Sequence, residues 1–232
     1  IKGLEGYKNS DYEEYSLQAS LQFPRFLAPF VSRDFKRRSN AISEVSLGWN
    51  LQNRPEFHRR IFSSAWKYHW TNPVHHLTYD FELLDLSYIY MPWISGTFKR
   101  DYLDNATTRN AILRYNYQDL FILRTGFGLH YNSSSHAFRA RVELAGNLLD
   151  GLGNLFDFKK NGQGKRTLFN IAYAQYAKFD FSYTQILHFD DRNALALHGG
   201  IGIAFPYGNS TVLPFEKRYF SGGANSVRGW SV

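Results

Sequence analysis

The chain has no cysteine among its 232 residues, which excludes disulfides and thiolate metal sites while leaving the compartment open. Its mean hydropathy is negative, and no stretch approaches the roughly 18 consecutive apolar residues of a membrane helix. Read alone, those two shortages describe a soluble protein. The aromatics contradict that reading: they make up 18% of the residues, with Tyr 16 and Phe 20, as expected where strands meet lipid and its polar boundary. A net charge of +7 suits an anionic membrane surface or nucleic acid. The Lys and Arg are dispersed among strands and turns instead of gathered on one face, which argues against nucleic acid as a partner.

Periodicity decides between these readings. After a polar, Gly-bearing start over residues 1–14, Tyr15, Leu17, Ala19, Leu21 and Phe23 alternate with Ser16, Gln18, Ser20 and Gln22, the period of a half-buried strand. A second strand near Ser43–Gln52 sets Val45, Leu47, Trp49 and Leu51 against Glu44, Ser46, Gly48 and Asn50. A third, Ile61–Trp70, opposes Phe62, Trp66, Tyr68 and Trp70 to Ser63, Ala65, Lys67 and His69, and a fourth from about His76 places Leu77, Tyr79, Phe81 and Leu83 on its apolar side. The connection 24–42 carries the basic run Arg33–Arg38, a solvated turn or a contact for anionic lipid headgroups.

Residues 89–108 break the pattern and are expected to form a long loop with room for a short helix over Phe98–Leu103. Alternation resumes over 110–131, either as one strand of about 70 Å, more than a bilayer needs, or as a hairpin turning near Gln118-Asp119. A strand over His136–Asn147 and a polar, Gly-rich segment 149–165 follow. Leu168–Phe189 is expected to be a single long strand, although a hairpin within 168–189 stays open. After the Asp190–Asn193 turn, the last strand sets Leu195, Leu197, Ile201, Ile203 and Phe205 against Ala196, His198, Gly200, Gly202 and Ala204. Gly200 and Gly202 strip that polar face of side chains, which makes room for another segment of backbone or relieves curvature. The pattern as a whole is all-β, an antiparallel transmembrane β-barrel of which about eight strands are present.

Chemistry-bearing motifs are weak. His75-His76 lies in a turn, while His58, His69 and His198 are scattered, as strand and surface imidazoles commonly are. Asp190-Asp191, Asp101 and Asp104 suit turns. Gly199-Gly200-Ile201-Gly202 lacks the following helix that a phosphate-binding loop requires. No nucleophile has a base at an interpretable spacing, so neither an enzyme nor a cofactor is expected.

The closing segment is of another kind. Lys217-Arg218-Tyr219-Phe220-Ser221-Gly222-Gly223, a short spacer and Val227-Arg228-Gly229-Trp230 have neither strand nor helix periodicity, and the paired glycines favour backbone at positive φ. This run resembles the long sixth extracellular loop of the BamA/TamA superfamily of outer-membrane assembly proteins, the bacterial surface antigen barrels. Glu14-Tyr15-Ser16 through Phe23-Pro24-Arg25-Phe26, the Asn50–Pro55 turn, Glu143–Leu149 and Tyr173–Tyr176 are similar to the TamL-type members, BamA-like lipoproteins of Bacteroidetes.

The resemblance implies that residues 206–232 return into the barrel lumen. Arg228 would be held there by acidic groups, Gly229 would allow close approach and Trp230 would pack beside them; Arg218, Tyr219, Phe220, Gly222, Gly223 and Val227 complete the motif. A buried guanidinium needs acidic partners. The family's sixteen strands and preceding POTRA domains imply that 1–232 is part of one barrel domain, about strands four to eleven, with POTRA domains and closing strands absent. Both ends read as cuts through a larger protein.

The implied function is insertion or translocation of outer-membrane proteins through a laterally opening barrel in the bacterial outer membrane. The implied partners are outer-membrane lipids and lipopolysaccharide, nascent outer-membrane or exported proteins, and periplasmic or lipoprotein subunits. Alternatives are a passive outer-membrane pore or receptor, and a secretion transporter of the same superfamily. Setting the final loop outside puts the short connections 71–75, 132–135 and 190–193 on the periplasmic side, with 24–42 an unusually long exception.

Overall fold

A computed structural model describes residues 12–28, 31–38, 41–104, 116–156, 158–162, 164–190 and 192–219. Its frame is one antiparallel sheet of eight strands in the order β1-β2-β3-β4-β5-β6-β9-β10. These are β1 (Glu13–Phe23), β2 (Ile42–Asn53), β3 (Phe57–Asn72), β4 (Leu77–Ile94), β5 (Leu120–Asn132), β6 (His136–Ala145), β9 (Tyr176–His188) and β10 (Ala194–Pro206). Each strand pairs with its neighbour in sequence, except that β6 meets β9 across a small two-stranded hairpin, β7 (Thr167–Leu168) and β8 (Ile171–Ala172).

The alternation in the sequence becomes two unlike faces. Register sets Gln18 opposite Gly48, Glu44 opposite Lys67, His69 opposite Asp80, and Arg141 opposite Asp180 on the polar face. The other face carries an exposed apolar belt, with Leu17 at 71%, Leu197 at 50% and Ile201 at 57% of full exposure. A water-soluble sheet buries such a face; a sheet of this size with its apolar side outward fits lipid. Among the described residues no helix is long and apolar enough to cross a membrane.

Three expectations are corrected. Ile89–Ile94 belongs to β4 instead of a loop; Met91-Pro92-Trp93 continues the strand, with the Met91 amide satisfied by Asp119 Oδ1 at 2.8 Å. The helical turn follows as α2 (Gly96–Phe98), capped by Ser95 and running into a π-turn over Lys99–Leu103. Over 110–131 a strand, β5, begins at Leu120, directly after the Gln118-Asp119 position at which the hairpin alternative set its turn, and 105–115 lie outside the described residues. Within the polar segment 149–165, Asn147–Leu155 forms a helix, α3, because Leu148, Leu149, Leu152 and Leu155 recur at helical spacing.

Leu168–Phe189 is not one strand. Phe169 and Asn170 both adopt positive φ, 52° and 65°, making the two-residue hairpin between β7 and β8. Asn tolerates that backbone better than other residues with side chains. The main strand restarts at Tyr176.

One irregularity positions the functional groups. Between Glu82 and Asp85, β4 carries one more residue than either neighbour: Glu82 pairs with Lys67 and Gly126, and Asp85 with Ala65 and Arg124. This bulge puts both carboxylates on the polar face although they are three residues apart, and leaves Leu83 and Leu84 together on the apolar one.

Candidate functional site: a lumen ion network and the segment it holds

The polar face of β4, β5, β6 and β9 converges on Glu143, which is 5% exposed. Its carboxylate accepts from Arg124 Nη1 at 2.5 Å and Tyr176 Oη at 2.5 Å, and pairs with Lys217 Nζ at 3.1 Å. Arg124 also pairs with Asp85 and lies 3.0 Å from Glu82 Oε2. Glu82 in turn accepts from Arg141 Nη2 at 2.7 Å. Gly126 makes this possible, since a Cβ there would stand 2.9 Å from Glu82 Oε2. Carboxylates and cations withdrawn from water are tolerable only when paired in this way.

Lys217 is not a wall residue. After β10 ends at Pro206, the chain turns through Tyr207–Ser210 and is fastened at once. The Asn209 amide group donates to Arg166 O and Tyr173 O at 2.9 and 3.0 Å, and its Oδ1 accepts from the Arg166 amide at 2.7 Å. Ser210 Oγ accepts from the Gln175 amide at 2.8 Å. Leu213 then packs against Ile89, Leu120, Ile122, Ala145, Ala174 and Tyr176, an apolar cluster on the same face as the ions.

A 3₁₀ turn over Phe215–Lys217 spreads three side chains over the wall. Glu216 pairs with Arg59 of β3, and Lys217 reaches Glu143 of β6. Tyr219 Oη donates to Asp180 Oδ1 of β9 at 2.6 Å, while Lys178 Nζ lies 4.3 Å from its ring centroid, within cation–π range. Arg218 turns back, its Nε donating to Leu213 O at 2.9 Å.

Of the residues expected to act, Arg218, Tyr219, Gly200 and Gly202 are described. Phe220, Gly222, Gly223, Val227, Arg228, Gly229 and Trp230 lie outside the described residues. Tyr219 sits directly on Gly202: a Cβ there would lie 2.5 Å from Tyr219 Cζ. Gly200 has no such cover, since its Cβ would meet only Phe181 O and Ser182 Cβ of the adjacent strand at 3.5 and 3.7 Å.

Sequence reasoning missed Glu143, Arg124, Glu82, Asp85, Lys178 and Asp180 as holders of the segment. Their signal was weak but present: charges on the polar phase of strands whose other phase faces lipid are costly unless a partner waits inside.

At the end of the sheet where this segment begins, Tyr173 is almost fully buried and donates to Asp150 Oδ1 of α3 at 3.1 Å, which Arg166 Nη1 also reaches at 2.8 Å. Burial and the neighbouring Asp150 carboxylate push its phenol up to about 12.

The sequence matches the family model of the Omp85 superfamily domain over residues 7–232. The chain belongs to the Omp85 superfamily. A solved structure, BamA from Haemophilus ducreyi lacking POTRA domains 1–3, superposes with a TM-score of 0.58 at 12% identity, covering 94% of this chain and 38% of that one. Comparison with curated proteins gives no match. The Omp85 chain therefore spans well under half the length of that relative, and the likeness identifies its sheet as part of an antiparallel β-barrel. The apolar belt is the outer wall of such a barrel and the ion network lies on the inner wall.

Proposed function

We propose that this chain is part of the barrel of a bacterial outer-membrane factor that inserts or translocates other outer-membrane proteins, and that residues 206–232 form the sixth extracellular loop returning into its lumen. The finer kinship to TamL-type lipoproteins rests on the sequence resemblance. The observation that carries the reading is the course of 207–219: a segment leaving the last strand lies along the inner wall and is held there by Glu143, Asp180 and Arg59. A wall crossed by a fastened segment suits a plugged barrel better than an open conduit, so the passive-pore reading has less support.

In this reading Arg218, Tyr219, Phe220, Gly222, Gly223, Val227, Arg228, Gly229 and Trp230 shape the loop, and Gly202 clears the wall for it. Outer-membrane lipids and nascent barrel proteins are its partners. The test is complementation by the full-length protein in cells depleted of it. Arg228→Ala is expected to lower the yield of folded outer-membrane barrels and the temperature at which the compact form survives electrophoresis. Unchanged yield together with constant, substrate-independent conductance would show a pore instead.

A further inference from the structure

The connection between β1 and β2 does not hang free as a turn. Phe26 stacks on Tyr68 with ring centroids 4.5 Å apart and planes 7° apart, and Phe35 meets Phe26 and Trp70 edge-on at 5.9 and 6.5 Å. Ser43 Oγ accepts from the Leu27 amide at 2.8 Å and donates to Arg25 O at 2.7 Å, while Tyr68 Oη donates to Leu27 O at 3.1 Å. Ala28 and Val31 pack against the same cluster, with Trp66, Phe81 and Leu83.

Tyr68, Trp70 and Phe81 stand on the lipid-facing phase of β3 and β4. The connection thus covers a patch of outer wall that would otherwise touch lipid. Tyr68 is 3% exposed and Ser43 0%, against the open apolar belt elsewhere on that face.

The cover lies at the end of the sheet marked by the β3–β4 turn, away from the 207–219 segment. Tyr68 is four residues from the end of β3, about 13 Å along the strand before tilt, so the cover sits near the rim of the wall. Short irregular backbone is tolerable there only against protein or water, and the hydrogen bonds from Ser43 and Tyr68 supply the protein side.

The helix α1 (Arg33–Arg38) is part of this cover. Its sequence has four basic residues against one acid, Asp34, and Phe35 fastens it to the wall. Aromatic rings directed at a barrel's rim beside a basic helix form an interfacial anchor.

We propose that the β1–β2 connection is such an anchor: α1 binds phosphates of phospholipid headgroups in the leaflet at this end of the barrel. Arg and Lys both suit phosphate, Arg by its paired donors and Lys as a point charge. The proposal rests on the barrel reading and its orientation, but not on any insertion or translocation activity.

Full-length protein in nanodiscs of phosphatidylethanolamine and phosphatidylglycerol tests it. Wild type is expected to retain phosphatidylglycerol through purification in preference to phosphatidylethanolamine. Replacing Arg33, Lys36, Arg37 and Arg38 by Gln lowers that preference about fivefold per charge where each contributes about 1 kcal/mol at the surface. Phe35 stays in place, so the cover is kept, and retained heat resistance verifies folding. Wild-type retention in the folded variant overturns the proposal. A photo-crosslinker at position 35 in cells is expected to yield phospholipid adducts. Exclusively protein adducts overturn the lipid assignment with the orientation intact, whereas lipopolysaccharide adducts overturn the orientation as well.

Discussion

Tyr219 occupies the space that a side chain at Gly202 would fill, its ring lying over the bare backbone of β10 with Cζ 2.5 Å from where a Cβ would stand. The two are partners in shape, and the hydroxyl bond to Asp180 Oδ1 fixes the ring in place. A side chain at 202 must therefore expel Tyr219 or bend the strand.

Gly202→Val is expected to destabilise the seated segment by about 1–3 kcal/mol, the usual cost of overpacking. Gly200→Ala, one pleat away and uncovered, serves as the control. Semi-native electrophoresis should show the compact form of Gly202→Val lost at lower temperature, with Gly200→Ala unchanged. Equal behaviour of the two variants would mean that Tyr219 does not depend on the gap.

Glu143 serves three donors, so its loss should exceed the loss of any one of them. Glu143→Gln leaves Lys217 buried beside a neutral amide while Arg124 keeps Asp85 and Glu82, and breaking a buried pair from one side typically costs about 3–5 kcal/mol. Lys217→Met removes a cation and leaves Glu143 still served by Arg124 and Tyr176, and should cost less. A double-mutant cycle is expected to show coupling of about 0.5–3 kcal/mol; additive effects would mean that the 3.1 Å contact holds nothing.

The strands and the faces they present were legible because period-two alternation has a direct physical cause: one side of each strand meets lipid and the other does not. Tyr15–Phe23, Val45–Leu51 and Leu195–Phe205 required no tertiary information. What escaped was set by long-range contact or a single local backbone choice. Asn170 turned a reading of one strand into a hairpin, and the Leu-rich run at 148–155 formed a helix inside a segment that Gly and polar residues made look like loop. The ion network was hidden because Glu82, Asp85, Arg124 and Glu143 come from three strands. Yet the adjacent Leu83-Leu84, where the apolar phase slips by one, marked the bulge that brings two of them together.

From the register around that bulge an unusual deletion is expected to be tolerated. Removing Leu84 leaves Glu82 paired with Lys67 and Gly126, and the former Asp85 still paired with Ala65 and Arg124, because β3 and β5 each have one residue fewer across this stretch. Every side chain keeps its face. The deletion variant is expected to fold into the outer membrane at near wild-type yield, while deleting Leu123, where β5 has no spare residue, should abolish assembly. Failure of both alike would show that the bulge's added twist is itself required.

Tyr173 gives a test by pH at the end of the barrel where the inserted segment starts. Its folded value of about 12 lies above the ordinary 10.0, so the native clasp with Asp150 favours the protonated phenol. The stabilisation is then fully present below pH about 10, where the unfolded phenol is still protonated, and is lost as pH rises from there through about 12. The difference in tyrosinate absorbance between the folded full-length protein and its Tyr173→Phe variant isolates this group from the other tyrosines. The difference should titrate near 12 and shift down towards 10 only on unfolding. A midpoint near 10 in the folded protein would mean that the phenol is open to water and that α3 is not clasped to the 159–175 segment through it.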